Sequence, residues 1–339
     1  MSQIDSLPLE LAAIILRNLD DICDLTPTLL SHMRFYRAFY EYWPRTRIDR
    51  IIILKQIDPG LLPVAIANVE ASHRTYTDSD DHVREVKGIY DTIFVEPQEL
   101  IDHLKDVGAM PTRDLIQMGR IHNYIGHFVQ DYSSTAWQKL TWAQRPVILS
   151  AAETLRFYRA FYHLELFFKL CKGDVPTRQS FAETRASHAL LHYPPWEWEQ
   201  LSCAYRHLRT RAEDASTFST PFLEAVQFGE RLSKRRKSGN VATKQISNTY
   251  CRMSLASKTP ITYPISQGLE LLIKLDKASS VEARNKLLAS ALSRPYVMLQ
   301  TWLNLAYDYR RIFRYPGVSF QPTGVHFYLA TTDPCGEPD

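Results

Sequence analysis

An all-α fold is predicted for this chain of 339 residues by three observations. Glycine is scarce, with 12 in the whole sequence, although the tight turns between strands draw on it heavily. No run of alternating apolar and polar residues is flanked by Asn-Gly or Asp-Gly, the strongest short-range hairpin signal. Prolines recur just ahead of stretches whose apolar residues repeat at three and four, as in helices that begin on a proline and bury one side. With 45% hydrophobic and 23% charged residues, the chain has the make-up of a globular protein with a sizeable core.

The first element opens at Ser6-Leu7-Pro8-Leu9-Glu10-Leu11. Pro8 supplies the φ of a first helical residue and Glu10 places a carboxylate in the first turn, so a helix is expected to start near Leu7. Leu11, Ile15 and Leu19 follow at spacing four, and Ile14 and Leu16 widen the stripe into a face broad enough to seek a partner. A second helix is expected around Asp24-Leu25 and Leu29-Leu30. Pro27 falls inside it, which requires Asp24 or Thr26 to cap a helix there, because a mid-helix proline costs about 3 kcal/mol.

Ile48, Ile51, Ile52, Leu54 and Lys55 predict a helix entered from Trp43-Pro44, and Pro59 opens the next through Leu61 to Ala67. His73 to Asp81 is polar enough for a loop. Helices then follow over His82 to Phe94, from Pro97 over Gln98 to Val107 with Gly108 ending it, and from Pro111-Thr112 to about Tyr132. The longest helix is expected from Arg145-Pro146 to Lys172-Gly173. Its Leu155, Tyr158, Phe161, Tyr162, Leu164, Leu166, Phe167 and Leu170 mark a central spine, since each fully buried Leu or Phe contributes ~1.5–3 kcal/mol. Pro195 begins another helix, in which Trp196, Leu201, Tyr205 and Leu208 are expected against neighbouring helices. Gly268 to Leu275, Val281 to Leu292 and Pro295 to Phe313 complete the set. The polar stretch Leu232 to Pro264 is expected to be a loop and the last twenty-five residues an irregular tail. Arg-Phe-Tyr-Arg-Ala-Phe-Tyr occurs twice, at Arg34 to Tyr40 and Arg156 to Tyr162. The flanks differ, so it is read as two independent helical solutions rather than a repeat.

The opening Leu-Pro-x-Glu-Leu, the Ile15 and Leu19 rungs, the Asp24-Leu25 pair and the closing Arg34-Phe35-Tyr36 resemble an F-box, the adaptor-binding module of ubiquitin-ligase substrate receptors. The chain differs from that pattern in a Leu19 to Leu25 segment one residue longer, in Ser31 where Cys is common, and in Pro27. The resemblance implies that Leu7, Pro8, Leu9, Leu11, Ile15, Leu16, Leu19 and Leu25 face a Skp-type adaptor, and through it a cullin. It also implies that Leu29, Leu30, Phe35 and Phe39 pack the module onto the rest of the chain. Leu155 to Leu166 with Pro195-Trp196-Glu197-Trp198-Glu199-Gln200-Leu201 is similar to a segment of uncharacterised fungal F-box-type proteins. The expected organisation is an F-box-like module over 1–45, an α-helical client-binding body over 46–315 and a tail over 316–339.

Catalytic signatures are missing: there is no Gly-x-Ser-x-Gly, phosphate loop, His-Glu-x-x-His or dinucleotide fingerprint. His188 and His192 at spacing four lack a carboxylate or thiol to complete a metal set, and Glu197 and Glu199, two apart on a helix, point to different sides. No enzyme, cofactor or metal is expected. Cys23, Cys171, Cys203, Cys251 and Cys335 are odd in number, scattered and never at Cys-x-x-Cys spacing, so neither a disulfide framework nor a zinc site is implied. Forty basic residues against thirty-seven acidic ones argue against nucleic-acid binding. Lys234, Arg235, Arg236 and Lys237 form one basic run, a solvated loop or a nuclear import signal. Without a secretory start or a membrane-length apolar run, the expected location is cytoplasmic or nuclear. Together these readings predict a non-catalytic substrate receptor holding a protein client, with an uncoupled helical scaffold as the alternative.

Overall fold

The computed structural model describes residues 4–74, 80–95, 97–105, 110–136, 149–170, 193, 195–217, 267–280, 282–284 and 286–287. Among these, every regular element is a helix, and the all-α expectation holds. Helix α1 is Leu9–Arg17. Pro8 caps it in an extended conformation (φ −54°, ψ 144°) instead of forming its first turn, so the helix begins two residues later than expected. Asn18 ends it, with Nδ2 donating to the Ile14 carbonyl at 3.0 Å.

A 3-10 turn at Ile22–Asp24, capped by the Asp21 side chain, leads into α2, Leu25–Ser31. Pro27 lies in the first turn of α2, where backbone N–H groups have no intrahelical acceptor, so its missing donor costs nothing. Neither Asp24 nor Thr26 supplies a side-chain cap. Helix α3, Met33–Thr46, runs on through Trp43-Pro44, where the sequence predicted the entry to the next helix. The break comes instead at Arg47, whose φ of 40° lies in the left-handed region, and α4 is Ile48–Gln56.

Asp58 accepts from the Gly60 N–H at 2.8 Å and holds a 3-10 turn, Pro59–Leu61. It feeds α5, Leu62–His73, so that the segment Pro59–His73 stands at 93° to α4. Helices α6 (Asp80–Val95), α7 (Pro97–Lys105), α8 (Thr112–Ala136), α9 (Ala151–Leu170), α10 (Pro195–Thr217) and α11 (Leu269–Lys277) follow. Their starts at Pro97, after Pro111 and at Pro195 match the proline signals. Among the described residues α8, with 25 residues, exceeds the 20 of α9, which was expected to be the longest. Residues 282–284 and 286–287 are helical. The predicted 295–313 helix, the 232–264 loop, His188, His192, the Lys234 to Lys237 run and the tail lie outside the described residues.

One continuous hydrophobic cluster extends from Ala12 to Ile273. Its centre is the contact of α5 with α9, and both helices are buried on nearly every side from Leu62 to Val69 and from Ala160 to Phe168. The apolar spine expected of α9 is thus present in its second half. Asn68 sits inside it, donating to the Val64 and Tyr162 carbonyls at 2.9 and 3.1 Å. On α10, Leu201, Ala204, Tyr205, Leu208 and Ala212 form the buried stripe. Trp196 is five residues before Leu201, well off that stripe at 100° per residue, and is 63% exposed instead of packed.

The two heptapeptide copies show how context decides burial. Ala38 and Phe39 are buried like Ala160 and Phe161, but Tyr40 is exposed whereas Tyr162 is fully buried and lies 2.9 Å from His122 Nδ1. Tyr36 and Tyr40 pack against each other on the outside, with tilted rings whose centroids are 4.5 Å apart.

Polar groups fix the corners. Asp49 is fully buried and accepts from Arg47 Nε at 3.2 Å, the Arg50 N–H at 3.0 Å and Thr112 Oγ1 at 2.7 Å. Arg47 also donates to the Met110 carbonyl at 2.9 Å. Glu165 accepts from the Leu269 N–H at 2.8 Å and so caps α11, entered through Gly268 at φ 96°. Arg211 joins Asp131 of α8 to Asp276 of α11, each at 2.9 Å.

Replacing Asp49 by Ala leaves the buried Arg47 guanidinium without its carboxylate and should cost about 3–5 kcal/mol, read from urea unfolding. Gly119 on α8 lies so close to Ile22 that a Cβ there would collide with Ile22 Cγ2. Gly119→Ala should therefore lower stability by about 1–3 kcal/mol in the same measurement, although alanine is the better helix former.

Candidate functional site

Helix α1 is apolar on two nearly opposite faces. At 100° per residue, Ala12, Ala13 and Leu16 share one side, and Leu11, Ile14 and Ile15 share the other. The first side is buried against α3 and α4. Its small residues let the backbones approach closely. On the second side Leu11 and Ile14 are each 47% exposed and Ile15 is 44% exposed.

The helix carrying this outer row is held at both ends. Arg34 Nε donates to the Leu7 carbonyl at 2.6 Å, Tyr42 OH donates to Glu10 Oε1 at 3.1 Å, and His32 lies 3.1 Å from Asp5. Past its C-terminus, Lys55 Nζ donates to the Arg17 carbonyl at 3.3 Å. Asp21 accepts from the Cys23 N–H at 2.8 Å, from Gln56 Nε2 at 3.0 Å and from Asn123 Nδ2 at 2.6 Å, tying the turn after α1 to α4 and α8. Burial pushes the Asp21 carboxyl up, but these hydrogen bonds outweigh it and hold it below the usual range. Beside it, burial pushes the Cys23 thiol up to about 12, with the Asp21 charge adding to the effect. It is therefore an inert thiol.

Of the residues expected to face an adaptor, Leu11, Ile15 and Pro8 are exposed, and Leu7, Leu9 and Leu19 are half-buried against the core. Leu16 and Leu25 belong to the core itself, which corrects their assignment to the outer surface. Leu16 is one residue, or 100°, from Ile15, and that step carries it to the inner side. Leu30, expected to pack the module down, is 78% exposed, whereas Phe39 is buried and Phe35 half-buried as expected.

Sequence reasoning missed a second exposed row on α3, Met33, Tyr36 and Tyr40, whose spacing of three and four was the available signal. With Ile4, Leu11, Ile14, Ile15 and Leu30, this puts most of the exposed large apolar side chains among the described residues into the first forty positions. Single exposed apolar residues are ordinary, whereas most of these form two rows, one along α1 and one along α3.

The buried histidines of the interior are held by aromatic neighbours. Among the described residues no group of His, Cys, Asp and Glu could hold a metal ion. His163 is buried between the Phe94 ring, at 5.6 Å, and Tyr193, whose hydroxyl lies 2.9 Å from Nδ1. Burial, helped by the Arg159 charge, pushes it down to about 3. His122 stacks on Tyr158, and burial pushes it down to about 4 against the opposing charge of Asp21. No family model, curated protein or solved structure matches the chain. No single described helix is long and apolar enough to cross a membrane.

Both histidines stay neutral in the fold and take up protons when it unfolds, near pH 6.5. Their contribution is complete above that pH and declines as pH falls toward about 4 for His122 and about 3 for His163. Between pH 7 and 5 stability should drop with a slope approaching ~1.4 kcal/mol per pH unit for each histidine. His122→Phe should flatten the dependence of the urea midpoint on pH by one histidine's share.

Proposed function

We propose that the chain is a non-catalytic substrate receptor of a Skp/cullin/F-box ubiquitin ligase, docking on the Skp-type adaptor with the outer face of α1 and holding a protein client with the helical body. The supporting observation is the Leu11, Ile14 and Ile15 row, left open on a helix whose two ends are bonded to α3, α4 and α8. A rigid apolar ridge loses little conformational entropy when a partner covers it, so more of its burial survives as affinity. An adaptor interface of ordinary size, about 1,200–2,000 Å² in total, extends beyond these three residues and takes in Pro8 and the accessible parts of Leu7, Leu9 and Leu19. The helical body contributes the platform, and neither docking nor client holding calls on the buried histidines or thiols.

The alternative, a helical scaffold without a link to ubiquitin transfer, is favoured by one observation. Leu16 and Leu25, two of the residues the F-box likeness assigns to the adaptor, lie in the chain's own core.

Ile15→Asp places an unpaired charge at the centre of the outer row and should reduce recovery of a Skp-type adaptor in pull-down about tenfold or more, with unchanged helical content by circular dichroism. Equal recovery of the adaptor by wild type and variant, or no capture by either, would exclude the receptor reading in favour of the scaffold.

A further inference from the structure

Gly88 has no conformational or packing reason to be glycine. It is in the middle of the sixteen-residue α6, its φ is not positive, and an added Cβ would meet no atom within 4 Å. Almost any other residue favours a helix interior more. Gly88 lines a cavity of about 250 Å³ between α5, α6 and α7, and a Cβ there would enter open space.

The cavity has two chemically distinct parts. Its floor is apolar, made by Ala67, Ile89 and Leu100, all buried. Its rim carries Glu70 and Arg74 from the end of α5, and Glu85 and Thr92 from the face of α6 that also holds Gly88. Arg74 pairs with Glu85 at 3.5 Å, and both side chains are solvent-exposed, so the pair is a weak one that can open. The Glu70 carboxylate has no partner among the described residues. Among the described lining residues two carboxylates, Glu70 and Glu85, stand against one guanidinium, that of Arg74.

The volume is below the roughly 300–1,000 Å³ of pockets for drug-sized ligands, so it suits one side chain rather than a cofactor. An apolar floor under an acidic rim matches a methylene stem ending in a cation. We propose that this cavity receives a single lysine or arginine side chain of a bound polypeptide. The stem lies on Ala67, Ile89 and Leu100, and the cationic head meets Glu70 and displaces or shares the Arg74 to Glu85 pair. The site does not depend on adaptor docking, because it is formed by α5 to α7 and not by the outer face of α1.

Saturation-transfer NMR on the full chain tests this with N-acetyl-arginine amide, N-acetyl-lysine amide and, as the anionic probe, N-acetyl-glutamate amide. The two cationic probes should bind and the anionic one should not. Glu70→Gln should weaken cation binding about fivefold. Gly88→Leu, which fills the cavity, should abolish it, whereas Gly88→Ala should retain it. Ile15→Asp should bind the probes like wild type, which separates this site from the receptor reading. Absence of cation binding, preference for the anionic probe, or unchanged binding in Glu70→Gln would each overturn the proposal. Should Gly88→Leu melt early, Glu70→Gln alone decides.

Discussion

The buried Arg47 and Asp49 pair is the constraint on which the arrangement of the N-terminal helices rests. Arg47 takes a left-handed conformation at the break between α3 and α4. Such a conformation in a non-glycine residue is strained, of the order of 1–3 kcal/mol. Here it turns a guanidinium into the interior. Asp49, fully buried, accepts from that guanidinium, from the Arg50 N–H and from Thr112, while Arg47 also reaches the Met110 carbonyl. A charge pair out of water is tolerable only when its remaining donors and acceptors are satisfied, and the helix start at Met110 to Thr112 supplies that satisfaction. One corner therefore sets the angle between α3 and α4 and the place where α8 begins.

With that corner fixed, α1 is laid across α3 and α4 and has no freedom to turn its outer face inward. The Asp21, Gln56 and Asn123 cluster and the Gly119 contact with Ile22 hold its far end on α8. Apolar residues on the inner and outer sides of α1 thus do different work. The inner ones add to the core that runs through α5 and α9, and the outer ones stay in contact with water, where their burial by a partner is still available as a driving force.

Much of the fold could be read from the residues. Prolines at 59, 97, 111 and 195 stand at or beside helix starts, and Leu201, Tyr205 and Leu208 of α10 are buried where spacing puts them. Periodicity failed where a helix is apolar on two faces. In α1, Ile15 and Leu16 are chemically alike and adjacent, and only tertiary packing decides that one is open and the other closed. The identical heptapeptides make the same point, since Tyr40 and Tyr162 share their local sequence and differ completely in burial. The Arg47 to Asp49 corner was invisible because its partners, Met110 and Thr112, lie more than sixty positions away. Trp196 is exposed because its angle on α10 carries it off the buried stripe, whatever the size of its aromatic surface.

The close approach of Gly119 to Ile22 bears on modularity. A fragment ending at Thr46 would separate Ile22 from α8 and α1 from α4, and would carry into solvent surface that the intact chain hides. The opening helices are consequently not a portable cassette: grafted onto an unrelated body they would lack the shelf that gives them their shape, and recombination that preserves them has to carry α4 and α8 along.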